Sequence, residues 1–216
     1  MKKFAVVLSG CGVYDGSEIH EATMTLYAIV KNGGTYEIFA PDIDQYHVIN
    51  HYNGKEVQET RNVLVESARI ARGKIKDLAT FNADEFDALI FPGGFGVAKN
   101  LSSYAINGAE CTVDLTIEHA VLEMVKKGKP IGALCIAPAI MAKILKGALV
   151  TIGHDKKTIA DIEKMGSKHK TTTHTEVVID EKFKLVTGPC YMLDANILQI
   201  AEGAEKVVKA IMNMAN

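Results

Sequence analysis

Apolar residues recur along this chain in two alternating patterns. Short continuous runs at Lys3 to Leu8, Tyr36 to Ala40, Phe86 to Phe91 and Ile131 to Leu134 predict strands buried on both faces. Between them, apolar residues return at helical spacing. Glu18 to about Lys31 carries Ile19, Ala22, Leu26, Ile29 and Val30 on one face. Ser17 is its expected N-cap and Asn32-Gly33-Gly34 its stop. Val113 to Val125 and Asp194 to Met214 show the same period. Arg61 to Arg72, Ile136 to Leu145 and Lys156 to Met165 read as further helices, and Gly147 to Ile152 as one more strand. Two hairpins complete the pattern. Asn53-Gly54 turns His51-Tyr52 back onto Glu56-Val57, and Asp180-Glu181 joins the run ending at Ile179 to the run from Phe183 to Val186.

Strands alternating with helices predict an α/β fold built on a doubly wound, mostly parallel sheet. In such sheets ligands sit beyond the carboxyl ends of the strands, where strand order reverses. Three loops leave strand ends with glycine and chemistry: after Leu8, after Phe91 and after Leu134. The segment from Pro41 to about Lys76 reads as an excursion from the sheet that covers something. No internal repeat, low-complexity tract or linker interrupts the chain, so a single domain over 1–216 is expected.

Composition narrows the function classes. The chain is 48% hydrophobic and 23% charged with a formal net charge of −2, and it has no basic run of five or more, so nothing points to nucleic acid. No stretch approaches membrane-spanning length, and the apolar run after Met1-Lys2-Lys3 is too short for a signal peptide. Cys11, Cys111, Cys135 and Cys190 are scattered, without a C-x-x-C pair or a His/Cys cluster. That pattern argues against a disulfide framework, structural zinc or another metal, and for the reducing cytoplasm.

The chemistry concentrates at Cys135. A strand ending at Leu134 and passing at once into a helix makes the geometry of a nucleophile elbow, with a helix dipole favouring thiolate. Gly132 is expected to keep that turn uncrowded. The stretch alone serves equally a small cysteine buried in the core. Glu18 and Glu21 lie one turn apart on the first helix; acidic residues suit a helix start in any case, and for Glu18 this is the simpler reading. Gly93-Gly94 either directs backbone N–H groups into a cavity or merely allows a tight turn. The glycine-rich loop from Ser9 to Gly16 has neither P-loop nor Rossmann spacing.

Taken together, these motifs resemble the ThiJ/PfpI superfamily, the class I glutamine-amidotransferase-like fold. The order is strand, Gly-x-Glu-x-x-Glu helix start, Pro92-Gly93-Gly94 loop and Gly-x-x-Cys elbow. The run from Ser9 to Glu21, with Cys135-Ile136-Ala137-Pro138-Ala139, Ala98-Lys99-Asn100-Leu101 and Tyr191-Met192-Leu193, is similar to the ElbB-like branch, also described as isoprenoid-biosynthesis proteins with an amidotransferase-like domain. The resemblance covers essentially the whole chain. It implies a flavodoxin-like three-layer sandwich with a nucleophile elbow and a small β-hairpin.

For the site, the resemblance implies Cys135 as reactive cysteine, Glu21 as the glutamate bonded to its sulfur, and Gly94 with the N–H of Ile136 as oxyanion hole. Many relatives carry a histidine directly after the cysteine; here that position is Ile136, so a Cys-His-acid triad cannot form there. His154, nineteen residues after Cys135, falls where some relatives place a histidine near the pocket, although Gly153-His154-Asp155 suits a solvated turn as well. The implied activity is a glyoxalase that needs no glutathione, metal or other cofactor and takes a small aldehyde substrate. The alternative is a non-enzymatic redox-sensing or binding protein linked to isoprenoid biosynthesis. Glutaminase chemistry lacks its triad. Superfamily habit implies a homodimer, with neither nucleic acid nor membrane as partner.

Overall fold

The computed structural model describes residues 1–215. In chain order the elements are β1 (Lys3–Val7), α1 (Ile19–Lys31), β2 (Thr35–Ala40), β3 (Val48–Asn50), β4 (Lys55–Val57), α2 (Val63–Ile70), β5 (Lys76–Asp77), β6 (Ala88–Phe91), α3 (Phe95–Lys99), α4 (Tyr104–Asn107), α5 (Leu115–Lys126), β7 (Ile131–Leu134), α6 (Ala137–Ile144), β8 (Leu149–Val150), α7 (Lys156–Lys164), β9 (Lys168–His169), β10 (Val178–Asp180), β11 (Leu185–Gly188) and α8 (Ile197–Met214). The central sheet has the order β10-β11-β7-β6-β1-β2-β5, and every pairing in it is parallel except β10 with β11. This is the flavodoxin-like, doubly wound sheet that the alternating pattern predicts. The chain starts at β1, moves to β2 and β5, then returns to β6 on the other side of β1. The switch point lies between β1 and β6.

Residues of one strand feed two cores. From β1, Phe4, Val6 and the following Leu8 join Ile29, Ile38, Ile90, Val208 and Ile211 on the face covered by α1 and α8. Ala5 and Val7 join Phe39, Leu89, Phe91, Ile117 and Ile140 on the face covered by α5 and α6. A strand with both faces covered needs an apolar residue at every position, hence continuous runs rather than alternation. Gly132 serves this packing, not the elbow: a Cβ there would lie 2.5 Å from Ile211 Cδ1 and 2.9 Å from Ile90 Cγ1.

Two local expectations change, and a third is filled in. Glu18, not Ser17, caps α1, its Oε2 accepting the Glu21 N–H at 2.7 Å. The Ser17 hydroxyl is occupied across the loop, accepting the Ser9 N–H at 2.8 Å. The run from Gly147 to Ile152 forms only β8, which pairs with β9 outside the main sheet. Side chains take over the backbone donors around it: the Asp180 carboxylate accepts the Leu149 N–H at 2.7 Å and the Thr187 hydroxyl accepts the Thr151 N–H at 2.9 Å. The excursion after Pro41 covers the loop following β1. Asp15 Oδ2 accepts the Ile49 N–H at 2.7 Å, and His51 Nε2 accepts the Tyr14 N–H at 3.1 Å.

Candidate active site

β7 ends at Leu134 and α6 begins at Ala137, so Cys135 must turn the chain within two residues. Its φ is +58°, in the left-handed region, where a non-glycine residue costs on the order of 1–3 kcal/mol. The fold holds it there. The Cys135 N–H donates to Gly188 O of β11 at 2.9 Å, and Pro138 opens α6 where a missing N–H costs nothing. The backbone N–H groups of Gly94 and Ile136 then lie near the sulfur and favour its charged form, and the Glu21 carboxyl lies beside it.

Glu21 reaches this point because α1 starts at the carboxyl end of β1, beside the loop that follows β6. It is fully buried, at 0% exposure. Oε2 accepts the Gly93 N–H at 2.9 Å and Oε1 the Tyr191 N–H at 3.1 Å. Burial pushes the Glu21 carboxyl up to about 8, with the charge of Glu18 adding to the rise and the two backbone N–H groups opposing it. Glu21 therefore holds its proton at neutral pH. Burial also pushes the Cys135 thiol up, as does the charge of Glu21, against the lowering pull of the Gly94 and Ile136 N–H groups.

The paired glycines are required by proximity. A Cβ on Gly93 would lie 2.3 Å from Cys135 Cβ and 2.5 Å from Glu21 Oε2. Gly94 has φ +104°, and a Cβ there would lie 2.3 Å from the Glu18 nitrogen. Only hydrogen fits between the thiol, the acid and the loop.

Cys135, Ile136 and Gly94 open onto a cavity of about 430 Å³ whose wall also includes Glu18, Tyr191 and Met192. The sequence-derived candidates Cys135, Glu21, Gly94 and Ile136 therefore meet. His154 does not join them. It is exposed, and although its neighbour Asp155 lines the cavity, His154 itself does not. Gly153-His154-Asp155 is the solvated turn, with Asp155 spent on capping α7 through the Thr158 N–H at 2.8 Å. Among the described residues no group of three His, Cys, Asp or Glu side chains could hold a metal ion.

The residues after β11 complete the site. The Cys190 sulfur is buried against the Cys135 N–H, and Tyr191 contributes its N–H to Glu21. The Tyr191 hydroxyl pairs with His20 Nδ1 at 2.8 Å at the protein surface. Gly188-Pro189 at a strand's carboxyl end was the available signal: it marks a fourth loop of the same kind. Glu18, set aside as a helix-start residue, faces the cavity at 8% exposure.

Comparison with known proteins agrees with this architecture. Residues 11–195 match the DJ-1/PfpI family. The Homo sapiens protein named glutamine amidotransferase-like class 1 domain-containing protein 3, mitochondrial, is 46% identical over 98% of this chain and 83% of its own length. The crystal structure of an isoprenoid biosynthesis protein with amidotransferase-like domain from Ehrlichia chaffeensis superposes with a TM-score of 0.94 at 35% identity, covering 100% of both chains. Glyoxalase III from Candida albicans shares the fold, with a TM-score of 0.65 at 15% identity over 100% of this chain and 98% of that one. The expected cytoplasmic location is corrected by these relatives: those from Homo sapiens, Rattus norvegicus and Danio rerio are named mitochondrial proteins, which points away from the cytoplasm. Scattered reduced cysteines report a reducing compartment and do not say which one. With its elbow cysteine, buried glutamate and paired glycines at the strand ends, this chain belongs to the DJ-1/PfpI family.

Proposed function

We propose that this chain is a cofactor-independent glyoxalase, converting glyoxal or methylglyoxal to the 2-hydroxy acid through a hemithioacetal on Cys135. One observation carries the reading: a cysteine held at φ +58° presents its sulfur to a cavity, with backbone N–H groups in front and an acid that keeps its proton behind. The sulfur bonds to the aldehyde carbon, and the thiol proton ends on the former carbonyl oxygen. The N–H groups of Gly94 and Ile136, already converging on sulfur, serve the oxygen one bond further on as charge develops there. Glu21, buried beside the sulfur with its carboxyl protonated, favours the thiolate and shuttles the proton of the internal redox step. The aldehyde carbon is then oxidised to a thioester as its neighbour is reduced to an alcohol, and water releases glycolate or lactate.

The cavity of about 430 Å³ has room for more than a dialdehyde of four heavy atoms, and Phe95, Ile106 and Met192 give it an apolar side. Larger 1,2-dicarbonyls therefore belong to the same substrate class. The test is conversion of glyoxal to glycolate by wild type and Cys135→Ala. Loss of turnover in the variant supports the reading, and full activity rejects it.

One observation favours a second reading, redox sensing. The Cys190 sulfur is buried near the Cys135 N–H, so a second thiol shares the site with an oxidised Cys135. Mass spectrometry of the peroxide-treated protein, beside the glycolate assay, separates the two.

A further inference from the structure

We infer that the preferred substrate is a 1,2-dicarbonyl carrying a neutral, hydroxylated tail, as in a dehydrated open-chain sugar, and that Asp161 binds that tail. This rests on the glyoxalase reading above and names the substrate class of the same cavity. Cys135 takes up one end of the cavity. Away from it the wall comes from α4 and α7, which supply Tyr104, Thr158 and Asp161, with Asp155 and Lys157 where α7 begins. These polar groups are already ordered. The Tyr104 hydroxyl donates to Asp161 Oδ2 at 3.0 Å, and the Thr158 hydroxyl donates to Asp155 Oδ1 at 2.7 Å. Burial pushes the Tyr104 hydroxyl well up, so it stays a donor at neutral pH. Asp161 Oδ1 takes no hydrogen bond among the described residues. Gly108, at φ +53°, lies alongside it: a Cβ there would sit 3.5 Å from Oδ1, and a longer side chain would cover that oxygen.

Carboxylates accept and the Lys157 ammonium donates, so the wall suits groups that do both, and hydroxyls are such groups. An anionic tail would be set against Asp155 and Asp161, and a cationic one against Lys157. Phe95 and Ile106 line the same cavity while 48% and 49% exposed, so a tail also has apolar surface on which to lay its carbons. A cavity of about 430 Å³ holds such a chain, and glyoxal leaves most of it empty. The chemistry at sulfur is unchanged and balances with one water and no outside oxidant. The aldehyde carbon is oxidised to a carboxylic acid, the ketone carbon beside it is reduced to a secondary alcohol, and the tail hydroxyls take no part. The product is the substrate plus one water.

The probe is 3-deoxyglucosone, set against methylglyoxal, which has the dicarbonyl without the hydroxylated tail. Product is followed by mass spectrometry as substrate plus one water. A hydrogen bond to a charged group is worth about tenfold to 100-fold. Wild type is therefore expected to favour 3-deoxyglucosone in kcat/KM by about tenfold or more, and Asp161→Ala to cut that preference by about tenfold or more. Asp161→Asn, whose amide still pairs with a hydroxyl, is expected to keep part of it. A variant that merely loosens α7 slows both substrates and leaves their ratio where it was; an unchanged ratio in Asp161→Ala overturns the Asp161 assignment. Calorimetric titration of Cys135→Ala with 3-deoxyglucosone, with and without Asp161→Ala, separates binding from turnover. Binding that weakens about tenfold with Asp161→Ala, while wild type turns over no dicarbonyl, upholds the tail site and rejects the glyoxalase reading. Wild-type turnover of glyoxal without preference for 3-deoxyglucosone overturns the tail site and leaves the glyoxalase reading standing. Neither binding nor turnover overturns both.

Discussion

Glu21→Gln is the most informative single change, because the wild-type acid carries a pH liability that can be worked out. In the unfolded chain a glutamate loses its proton near 4.5; in the folded protein burial holds Glu21 protonated up to about 8. Between those values the unfolded state releases a proton that the folded state keeps, so the unfolded state binds fewer protons and stability falls as pH rises. Below about 4.5 the term is fully favourable, and by about 8 it is gone. About three and a half pH units at about 1.4 kcal/mol each give about 5 kcal/mol. The glutamine variant has no such proton, but its amide can accept only one of the two N–H groups, from Gly93 or Tyr191, that the carboxyl now accepts. Orphaning the other costs about 1–3 kcal/mol at every pH. Glu21→Gln is therefore expected to be the less stable protein at pH 5 and the more stable one at pH 8, with the two curves crossing near about pH 6. Urea unfolding of both proteins from pH 5 to 8 measures this directly. A stability difference that stays constant across that range would refute the claim that Glu21 is protonated inside the fold.

Further outcomes follow from the same geometry. Removing the Glu21 charge in the same variant should move the iodoacetamide profile of Cys135, followed by peptide mass spectrometry, to lower pH, because that charge helps push the thiol up; an unchanged midpoint contradicts this. Gly93→Ala places a Cβ 2.3 Å from Cys135 Cβ and should cost about 3 kcal/mol in thermal or urea unfolding, together with altered Cys135 reactivity. Gly132→Ala meets Ile211 Cδ1 at 2.5 Å and Ile90 Cγ1 at 2.9 Å but no site residue, so about 1–3 kcal/mol is expected and Cys135 alkylation should not change. Asp180→Ala strands the N–H groups of Leu149 and Phe183 and should destabilise by about 1–3 kcal/mol, with Asp180→Asn recovering part of the loss.

What the sequence displayed was periodicity, and periodicity specifies elements buried on known faces. β7 is predicted to the residue, and the main strands and long helices fall within a few residues of their patterns, because burial on both faces writes itself into every position of a strand. β5 and β8 escape this logic: each is two residues long, and β8 takes its partners from side chains and a separate strand. The cap of α1 moved from Ser17 to Glu18 because the Ser17 hydroxyl is used by a segment eight residues away, a contact no local window contains. Cys135, Glu21, Gly94 and Ile136 were recognisable through a combination of motifs spread over three loops. Their distances were not, and it is a 2.3 Å approach that turns Gly93 from a turn residue into a spacer. Tyr191 carries part of the family resemblance, but its contact with Glu21, and that of Cys190 with the elbow, depend on β11 running on to Gly188, two residues beyond the apolar run that ends at Val186. His154 was placed by resemblance alone, and the residues around it suit equally the turn that the structure shows.

Tyr191 gives the site a gauge on the outside of the molecule. Its backbone amide holds the buried acid, while its ring hydroxyl holds the exposed imidazole of His20 at 2.8 Å. Whatever displaces the Glu21 carboxyl, by ionisation, by adduct formation on the sulfur or by oxidation, moves the tyrosine that bridges the two. Ring-proton NMR signals of a surface histidine thus become a readout of events at an acid that solvent never reaches.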